Sequence, residues 1–209
     1  MGYYPIFLDL ADRPCLVVGG GPVAEHKVES LLAAGARITV VSPIVTARLA
    51  AWAAEGRIDH RARPYHADDL AGSGIAFVAT DDARVTAAVS ADSRTRGVWV
   101  NAADEPARCD FILPSVIRRG RLVVAVSTGG ASPAAARAIR EELEAYLGER
   151  HARLVDLAAA ARAALRDRSI SVSPERWRRA LADGRVRRLI AARRYRRAGR
   201  RLARSLEST

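Results

Sequence analysis

The sequence is poor in lysine, cysteine and histidine. Of its 209 residues, one is lysine (Lys27), two are cysteines and four are histidines. Cys15 and Cys109 lie far apart, with no C-x-x-C motif and no cysteine–histidine pair at zinc spacing, so we expect neither a disulfide framework nor a structural metal site. No apolar run approaches the roughly 18 residues of a membrane span, and the first residues carry acids rather than a basic leader. These absences favour a cytoplasmic protein in a reducing compartment.

Charge is divided unevenly along the chain. Residues 1–149 hold 16 basic and 18 acidic side chains, a net charge of −2, whereas residues 150–209 hold 18 arginines and 5 acids, a net charge of +13. A basic region of this kind attracts polyanions, whether nucleic acid, anionic lipid or a small substrate with many carboxylates. A bias toward arginine on a solvated helical surface explains the same numbers. Charge alone therefore leaves both interpretations open.

The first hundred residues alternate short apolar runs with helical patterns, which is typical of βαβ units. Strands are predicted at 15–20, 36–43 and 74–82, with a weaker one near 57–65 and a last one in VWVN, which ends at Asn101. Helices are predicted at 22–35, 46–56 and 83–97, the first with Val23, Lys27, Leu31 and Leu32 at helical spacing. The pattern predicts an α/β fold with a Rossmann-type parallel sheet.

After residue 110 the pattern changes. Two apolar runs joined by RRGR predict a hairpin or an extended pair of strands. A helix follows, with Ser132 as N-cap, Pro133 at its first position and an apolar face of Ile139, Leu143, Tyr146 and Leu147. From His151 onward the chain is rich in alanine and arginine and is predicted to be helical in several pieces, with a break and restart at 171–177.

GGGPVA at 19–24 follows a predicted strand and opens a predicted helix. Gly19, Gly21 and Ala24 occupy the three special positions of G-x-G-x-x-G/A, which permit a tight turn, the approach of a pyrophosphate and close packing of helix on strand. The alternative is a glycine turn that serves packing alone. The order of strand, turn, helix and second strand favours dinucleotide binding, and the predicted phosphate contacts are Gly19, Gly20, Gly21, Pro22 and Val23.

The second strand departs from the usual pattern, because it ends in Ser42 and Pro43 where an acid normally binds the adenosine ribose. No arginine stands there to bind a 2′-phosphate, so NAD is expected rather than NADP. The remaining predicted cofactor contacts follow the ends of three strands, and they are Ser42, Pro43, Ile44, Thr80, Asp81 and Asn101. Asp82 is interpreted equally well as a cap of the next helix.

Four segments together resemble the precorrin-2 dehydrogenase and sirohydrochlorin ferrochelatase family, the N-terminal module of siroheme synthase. They are YPIFLDLADRPCLVVGGGPVAEHKVESLLAAGARITVVSP at the start, FVATDD at 77–82, VNAADEPARCDFILPSVI at 100–117 and VAVSTGGASPAAARAIREELE at 124–144. The resemblance implies oxidation of precorrin-2 to sirohydrochlorin with NAD, and in some members insertion of ferrous iron as well. It also implies a homodimer. Three parts are expected, namely an NAD-binding Rossmann domain at 1–112, a dimerisation and substrate segment at 113–148 and a helical Arg-rich domain at 149–209.

The resemblance places the family's essential aspartate on Asp104, just beyond Asn101 at the carboxyl end of the last strand. In the same stretch, NAADEPARCDFILPS, structural roles are favoured for Glu105, Asp110 and Cys109, and no metal ligand is assigned. The predicted substrate contacts lie in the STGGAS loop, whose small residues and helix N-terminus suit a carboxylate, and they are Ser127, Thr128, Gly129, Gly130 and Ser132. Basic residues of the tail would attract the carboxylates of such a tetrapyrrole.

Two other hypotheses stay in view. One is an NAD(H)-sensing protein whose arginine-rich stretch at 187–205 binds nucleic acid. No recognition motif supports it, so a nucleic-acid partner is not expected. The other is a different Rossmann dehydrogenase, which the combination of DFILPS with STGGASP disfavours.

Overall fold

The computed structural model of the protein describes residues 2–103 and 105–207. The chain forms two compact units, Met1–Leu113 and Pro114–Thr209. The expected separation of the second unit into 113–148 and 149–209 stays a prediction. Within the described ranges no helix combines the length and the apolar character that crossing a bilayer requires.

The first unit contains a five-stranded parallel sheet in the order β3-β2-β1-β4-β5. Its strands are β1 (Pro14–Val18), β2 (Arg37–Val41), β3 (Asp59–Arg61), β4 (Ile75–Val78) and β5 (Trp99–Ala102). Its helices are α1 (Pro22–Ala33), α2 (Ala47–Ala54) and α3 (Ala83–Arg96), with 3-10 turns at Ala67–Leu70 and Pro106–Arg108. This order confirms the predicted Rossmann fold. The strand order reverses between β1 and β4, and ligands of such sheets bind at the carboxyl ends of the strands beside that point.

Alternate residues of β1 face the two sides of the sheet, and both sides are buried. Val17 belongs to the apolar cluster that includes residues of α1 and α2, whereas Leu16 belongs to the cluster on the side of α3. The buried residues of α1 are Ala24, Val28 and Leu31. The predicted apolar face of this helix was right at its C-terminal end, where Leu31 is buried, and wrong at Val23, which is 48% exposed while the next residue, Ala24, is buried.

Helices α1 and α3 end in the same way. Each is followed by a glycine in the left-handed region, Gly35 at φ 76° and Gly97 at φ 68°. At α3 the Val98 N–H donates to the Ser93 carbonyl at 3.0 Å, six residues apart counting both ends, which closes the last turn as a Schellman motif. Glycine suits this position because it has no Cβ to clash.

The second unit begins with an antiparallel hairpin, β6 (Ser115–Arg119) and β7 (Leu122–Val126), which confirms the predicted strand pair. Helix α4 (Pro133–Tyr146) is capped by Ser132 as predicted, since the Ser132 Oγ accepts from the Ala135 N–H at 3.1 Å. The predicted apolar face of α4 is not buried within this unit, since Ile139 is 43% exposed and Tyr146 is 63% exposed.

Four further helices complete this unit, namely α5 (Glu149–Asp167), α6 (Pro174–Ala182), α7 (Gly184–Ala191) and α8 (Tyr195–Glu207). They enclose a core that includes Leu165, Val186, Ile190, Leu202 and Leu206. The predicted break lies between α5 and α6, where Ser173 caps the restart. The boundaries of α7 and α8 had no prediction of their own.

Candidate active site

The glycine turn joins β1 to α1 at the reversal of strand order. A Cβ on Gly19, whose φ is +118°, would stand 2.0 Å from the Ala79 carbonyl oxygen, and a Cβ on Gly20 would stand 2.0 Å from the Ile44 carbonyl oxygen. A Cβ on Gly21 would meet no atom within 4 Å. The first two glycines are therefore required by the packing of the turn, whereas the third leaves open space beside the backbone.

The N-terminus of α1 faces that open space. Gly21 is the N-cap, Pro22 follows it, and no side chain of the described residues caps the helix. Its first amide groups are left for an external acceptor, and the helix dipole favours a negative one. Ala24 is fully buried, which fits the requirement for a small third residue. These features fit the pyrophosphate of a dinucleotide.

The loop after β2 is fastened to the glycine turn. The Thr46 N–H donates to the Gly20 carbonyl at 2.9 Å, and the Thr46 hydroxyl donates to Glu25 of α1 at 2.6 Å. Ser42 Oγ donates to the Ile44 carbonyl at 2.7 Å, while the Ile44 side chain is 81% exposed. The predicted Ser42, Pro43 and Ile44 thus lie in a loop that is hydrogen-bonded to the glycine turn through Thr46.

The end of β4 continues into the cap of α3. Thr80 Oγ1 accepts from the Asp82 N–H at 3.3 Å, and the Asp82 carboxylate accepts from the Arg84 N–H at 2.8 Å. These hydrogen bonds, that from the Arg84 backbone foremost, lower the pKa of Asp82. Asp82 is therefore the helix cap, the second of its two interpretations. Asp81 is exposed beside it.

Asn101, near the end of β5, is buried and fully engaged. Its Nδ2 donates to the Phe111 carbonyl at 3.0 Å, and its Oδ1 accepts from Lys27 Nζ at 2.9 Å. Lys27 also lies 5.8 Å from the centre of the Phe77 ring. The sequence analysis grouped Lys27 with the apolar residues of α1 and missed its contact with Asn101. A signal was present, because this charged residue, the only lysine of the sequence, occupies a position of the predicted apolar face.

The segment after β5 is held by its own polar groups. Asp110 Oδ2 accepts from the Val100 N–H at 2.8 Å, and the Cys109 thiol donates to the Ala102 carbonyl at 3.2 Å. Burial raises the pKa of Cys109. Glu105 forms an ion pair with Arg108. Asp110, Cys109 and Glu105 therefore each have a partner within the protein. Asp104, the predicted catalytic residue, lies outside the described residues.

Residues 6–115 match the NAD_binding_7 family model, described as NAD(P)-binding, and residues 119–146 match a model described as sirohaem biosynthesis protein central. A solved structure titled "SirC, precorrin-2 dehydrogenase" superposes with a TM-score of 0.77 and 30% sequence identity, covering 95% of this chain and 99% of that one. The chain belongs to the precorrin-2 dehydrogenase family. The matches confirm the resemblance and support NAD as the cofactor.

Curated relatives of this precorrin-2 dehydrogenase family member are longer. The siroheme synthase of Methylobacillus flagellatus is 46% identical over 164 residues, which are 78% of this chain and 35% of that protein. Siroheme synthase 1 of Aeromonas salmonicida is 42% identical over 193 residues, which are 91% of this chain and 41% of that protein. The chain thus spans well under half the length of these relatives.

The STGGAS loop of this precorrin-2 dehydrogenase family member lies in the second unit, within the range of the central sirohaem model. Thr128 Oγ1 donates to the Ser132 carbonyl at 3.0 Å and accepts from the Ser132 N–H at 3.0 Å, while Ser127 Oγ accepts from the Gly129 N–H at 3.1 Å. Gly129 and Gly130 both have positive φ. The hydroxyls therefore shape the loop, and its contact with substrate stays a prediction.

A metal centre in the protein itself has no support among the described residues. Residues 2–103 and 105–207 contain no group of three or more histidine, cysteine, aspartate and glutamate side chains that could hold an ion. Cys15 is buried and its pKa is raised by that burial. Cys109 has the carbonyl partner described above.

Proposed function

We propose that this chain oxidises precorrin-2 to sirohydrochlorin with NAD as the hydride acceptor. The observation that carries the proposal is the likeness to SirC over nearly the full length of both chains, at 30% identity and a TM-score of 0.77. When bound, NAD⁺ supplies the acceptor for the hydride that the tetrapyrrole carbon loses. The residues of the chain bind both molecules and accept the accompanying proton.

The glycine turn is the proposed seat of the pyrophosphate. Gly21 offers the open approach to the backbone, and the uncapped N-terminus of α1 supplies amide donors and a favourable dipole. Ser42, Pro43 and Ile44 border the adenosine side, because their loop is bonded to Gly20 through Thr46. Thr80, Asp81 and Asn101 mark the ends of β4 and β5, where the nicotinamide is proposed to lie.

Lys27 gives this edge of the sheet a positive charge. Its ammonium group is held 2.9 Å from Asn101 Oδ1, at the end of β5. A cation at this place favours the ionised form of any carboxylate brought near it, whether from the chain or from the substrate. We infer that Lys27 attracts a substrate carboxylate and so helps to orient the tetrapyrrole.

Asp104 is the proposed catalytic residue. It follows Ala103 directly after β5, which ends at Ala102, and the family's essential aspartate falls on it by resemblance. Oxidation creates a new double bond, and the nitrogen or carbon that becomes part of it must release a proton. A carboxylate at the carboxyl end of the sheet is suited to accept that proton.

An anaerobic assay tests this role. Precorrin-2 and NAD⁺ are added to the full chain, and the visible absorbance change of tetrapyrrole oxidation is followed for wild type, Asp104→Ala and Asp104→Asn. We expect both variants to lose about 100-fold or more in turnover, the usual contribution of a general base. Glu105→Ala is the matched control, because this neighbouring carboxylate is engaged with Arg108 and should keep most activity. Wild-type turnover by Asp104→Ala would remove Asp104 from the mechanism.

Insertion of ferrous iron is proposed as a second step on the same product. In this step the ferrous ion is a substrate that passes to the pyrrole nitrogens, and Asp104 is the carboxylate that the resemblance assigns to it. The test is anaerobic turnover of sirohydrochlorin with ferrous or cobaltous ion and no NAD⁺. Metal-dependent loss of the sirohydrochlorin spectrum supports the step, and an unchanged spectrum assigns the chain to oxidation alone.

A homodimer built on residues 113–148 is proposed as the working assembly. In this segment Val116 is 36% exposed, Ile139 43% and Tyr146 63%, which leaves apolar surface for a second copy to cover. Light scattering after size-exclusion chromatography should give twice the chain mass. Ile139→Glu should shift the protein toward monomer, and a wild-type monomer at all concentrations would contradict the proposal.

A further inference from the structure

Helix α8 has two faces of opposite character. Ala198, Leu202 and Leu206 are fully buried in the core of the second unit. The opposite face carries arginines at the spacing of successive turns, which places their side chains in a row along the helix. Because the apolar face is buried in the core, the arginine face is the side of α8 that solvent and ligands can reach.

Five arginines at the start of α8 and just before it have no acidic partner among the described residues. Arg201 bonds Asp183 at 2.7 Å, and Arg168 pairs with Glu207. In contrast, no acidic side chain of the described residues forms an ion pair with a set of five exposed arginines, namely Arg193, Arg194, Arg196, Arg197 and Arg200. They line two adjacent surface grooves, which share Arg197 and Arg200. Five like charges on one surface create a positive local potential, which attracts anions from solution.

Arg193 has a backbone conformation that favours glycine. It follows α7 in the left-handed region at φ 55°, and the Arg194 N–H donates to the Leu189 carbonyl at 2.8 Å, as in the Schellman ends of α1 and α3. Those two helices have glycine at this position. An arginine here is unfavourable for the turn, yet it directs a guanidinium toward the groove of Arg194 and Arg197.

We propose that Arg193, Arg194, Arg196, Arg197 and Arg200 form an accessory binding surface for a polycarboxylate tetrapyrrole. The proposal rests on the proposed function, which supplies a substrate of that class. Guanidinium groups bind carboxylates through paired, charge-assisted hydrogen bonds, and several in one groove suit a ligand that carries carboxylates around its rim. This surface binds the substrate and so raises its local concentration at the enzyme, and it takes no part in the chemistry.

The surroundings favour a small polyanion over single-stranded nucleic acid. Nucleic-acid grooves interleave basic residues with exposed aromatic platforms for the bases. The one aromatic residue lining these grooves among the described residues, Tyr195, is half-buried, with the Arg153 guanidinium 5.3 Å from its ring centre. No ring is presented for stacking, whereas the guanidinium groups are exposed.

Equilibrium binding of uroporphyrin, a fluorescent tetrapyrrole rich in carboxylates, tests the surface in the full chain. Coproporphyrin, which has fewer carboxylates, should bind more weakly. The double variant Arg197→Glu/Arg200→Glu should weaken uroporphyrin binding about tenfold or more at low salt and flatten its salt dependence. Arg193→Gly removes one guanidinium and relieves the turn, so weaker binding with an unchanged or higher melting temperature is expected.

Arg162→Glu/Arg178→Glu is the matched control, since both arginines are exposed in the same unit, form no ion pair with a described residue and line neither groove. It should change binding less than twofold. The proposal is overturned if this control weakens binding as much as the test variant, if Arg197→Glu/Arg200→Glu leaves binding unchanged, or if an oligonucleotide of equal charge displaces uroporphyrin more readily than coproporphyrin does.

Turnover separates this proposal from the proposed function. Arg197→Glu/Arg200→Glu should raise KM for precorrin-2 while kcat stays within about twofold of wild type. A large fall in kcat would place these arginines in the reaction itself and overturn an accessory role. If the wild-type chain binds uroporphyrin at this surface but does not oxidise precorrin-2, the proposed function falls and the binding surface stands.

Discussion

The two units of the chain close their helices with the same hydrogen bonds but with different residues. In the first unit Gly35 and Gly97 occupy the left-handed position after α1 and α3, and in the second unit Ser169 and Arg193 occupy it after α5 and α7. The left-handed backbone conformation at these helix ends is therefore shared by the two units, while a glycine indicates it in the sequence of the first unit only. A helix end without glycine escapes sequence prediction and carries a conformational cost that glycine avoids.

The first unit also depends on contacts of a kind that the second uses little. Gly19 and Gly20 are packed against the backbone of neighbouring segments, and the carboxylate of Asp69 is buried between two arginines. Among the described ion pairs of the second unit, none has a carboxylate buried to that extent, and some are well exposed, as between Arg153 and Glu149. We expect substitutions in the first unit to have the larger effects on stability.

The largest effect is expected at Gly19. In Gly19→Ala a Cβ would enter the space of the Ala79 carbonyl oxygen at 2.0 Å, at a φ of +118° that alanine rarely adopts. Strain and overpacking together should lower the free energy of unfolding by about 4 kcal/mol. Urea unfolding followed by circular dichroism measures it, and a change under about 1 kcal/mol would show that the turn relaxes.

Gly21→Ala is the control for that substitution, because its Cβ meets no atom within 4 Å. It should leave unfolding nearly unchanged and raise KM for NAD⁺ about tenfold, since the methyl group occupies the approach of the pyrophosphate. Equal loss of stability in the two variants would contradict the separate roles of the two glycines.

A smaller effect is expected at Asp69, whose carboxylate accepts from Arg63 at 2.6 and 2.8 Å and from Arg61 at 2.8 Å. Asp69→Asn should lower the free energy of unfolding by about 3 kcal/mol at pH 7, because the guanidinium groups lose a buried partner. The exposed pair partner Glu149→Gln in the second unit is the comparison, with an expected loss of about 0.4 kcal/mol. Equal losses at the two sites would remove the contrast between the units.

The contribution of Asp69 to the free energy of unfolding is expected to fall in acid. The hydrogen bonds from Arg63, above all, lower its pKa in the folded protein below the value of about 3.9 for an unfolded chain. Its contribution is therefore complete above about pH 4 and is lost as the pH falls toward the folded pKa. Unfolding at pH 7 and pH 3 should show the gap between wild type and Asp69→Asn narrowing in acid, and a constant gap would contradict the assignment.

Smaller effects than that of Asp69→Asn are expected at the helix ends. Ser169→Gly and Arg193→Gly should each raise the free energy of unfolding by about 0.5 to 1 kcal/mol, because glycine adopts positive φ without strain. Gly97→Ala in the first unit should lower it by about 1 kcal/mol at the same position of the same motif. Thermal unfolding of the three variants compares the two units directly, and like signs in both would show that context outweighs the residue at this position.

Much of the first unit could be predicted from the sequence because its boundaries are marked by glycine and its strands by apolar runs. The turn at 19–24 and the parallel sheet were predicted from local patterns alone. The bond between Lys27 and Asn101 joins residues 74 positions apart, and no local pattern encodes that distance. The role of Asp110 depends likewise on its pairing with the Val100 N–H.

The second unit was predicted less fully for a physical reason. Its helical stretch is nearly uniform in alanine, leucine and arginine, so neither composition nor glycine marks where α8 begins. At α7 a local signal was present but was not used, since the helix begins at Gly184 directly after its cap Asp183. The apolar face of α4 was predicted from periodicity, but exposure is decided by what covers it. Periodicity indicates which residues seek burial, and it does not identify the surface that buries them.

The single lysine has a further consequence for labelling. Because the other 33 basic side chains are arginines, an amine-directed reagent has one side-chain target, and that target lies against Asn101 at the carboxyl end of β5. A fluorophore or mass tag can therefore be attached at Lys27, beside the carboxyl end of β5, without any substitution in the chain. Protection of this one amine by a bound ligand would measure occupancy directly.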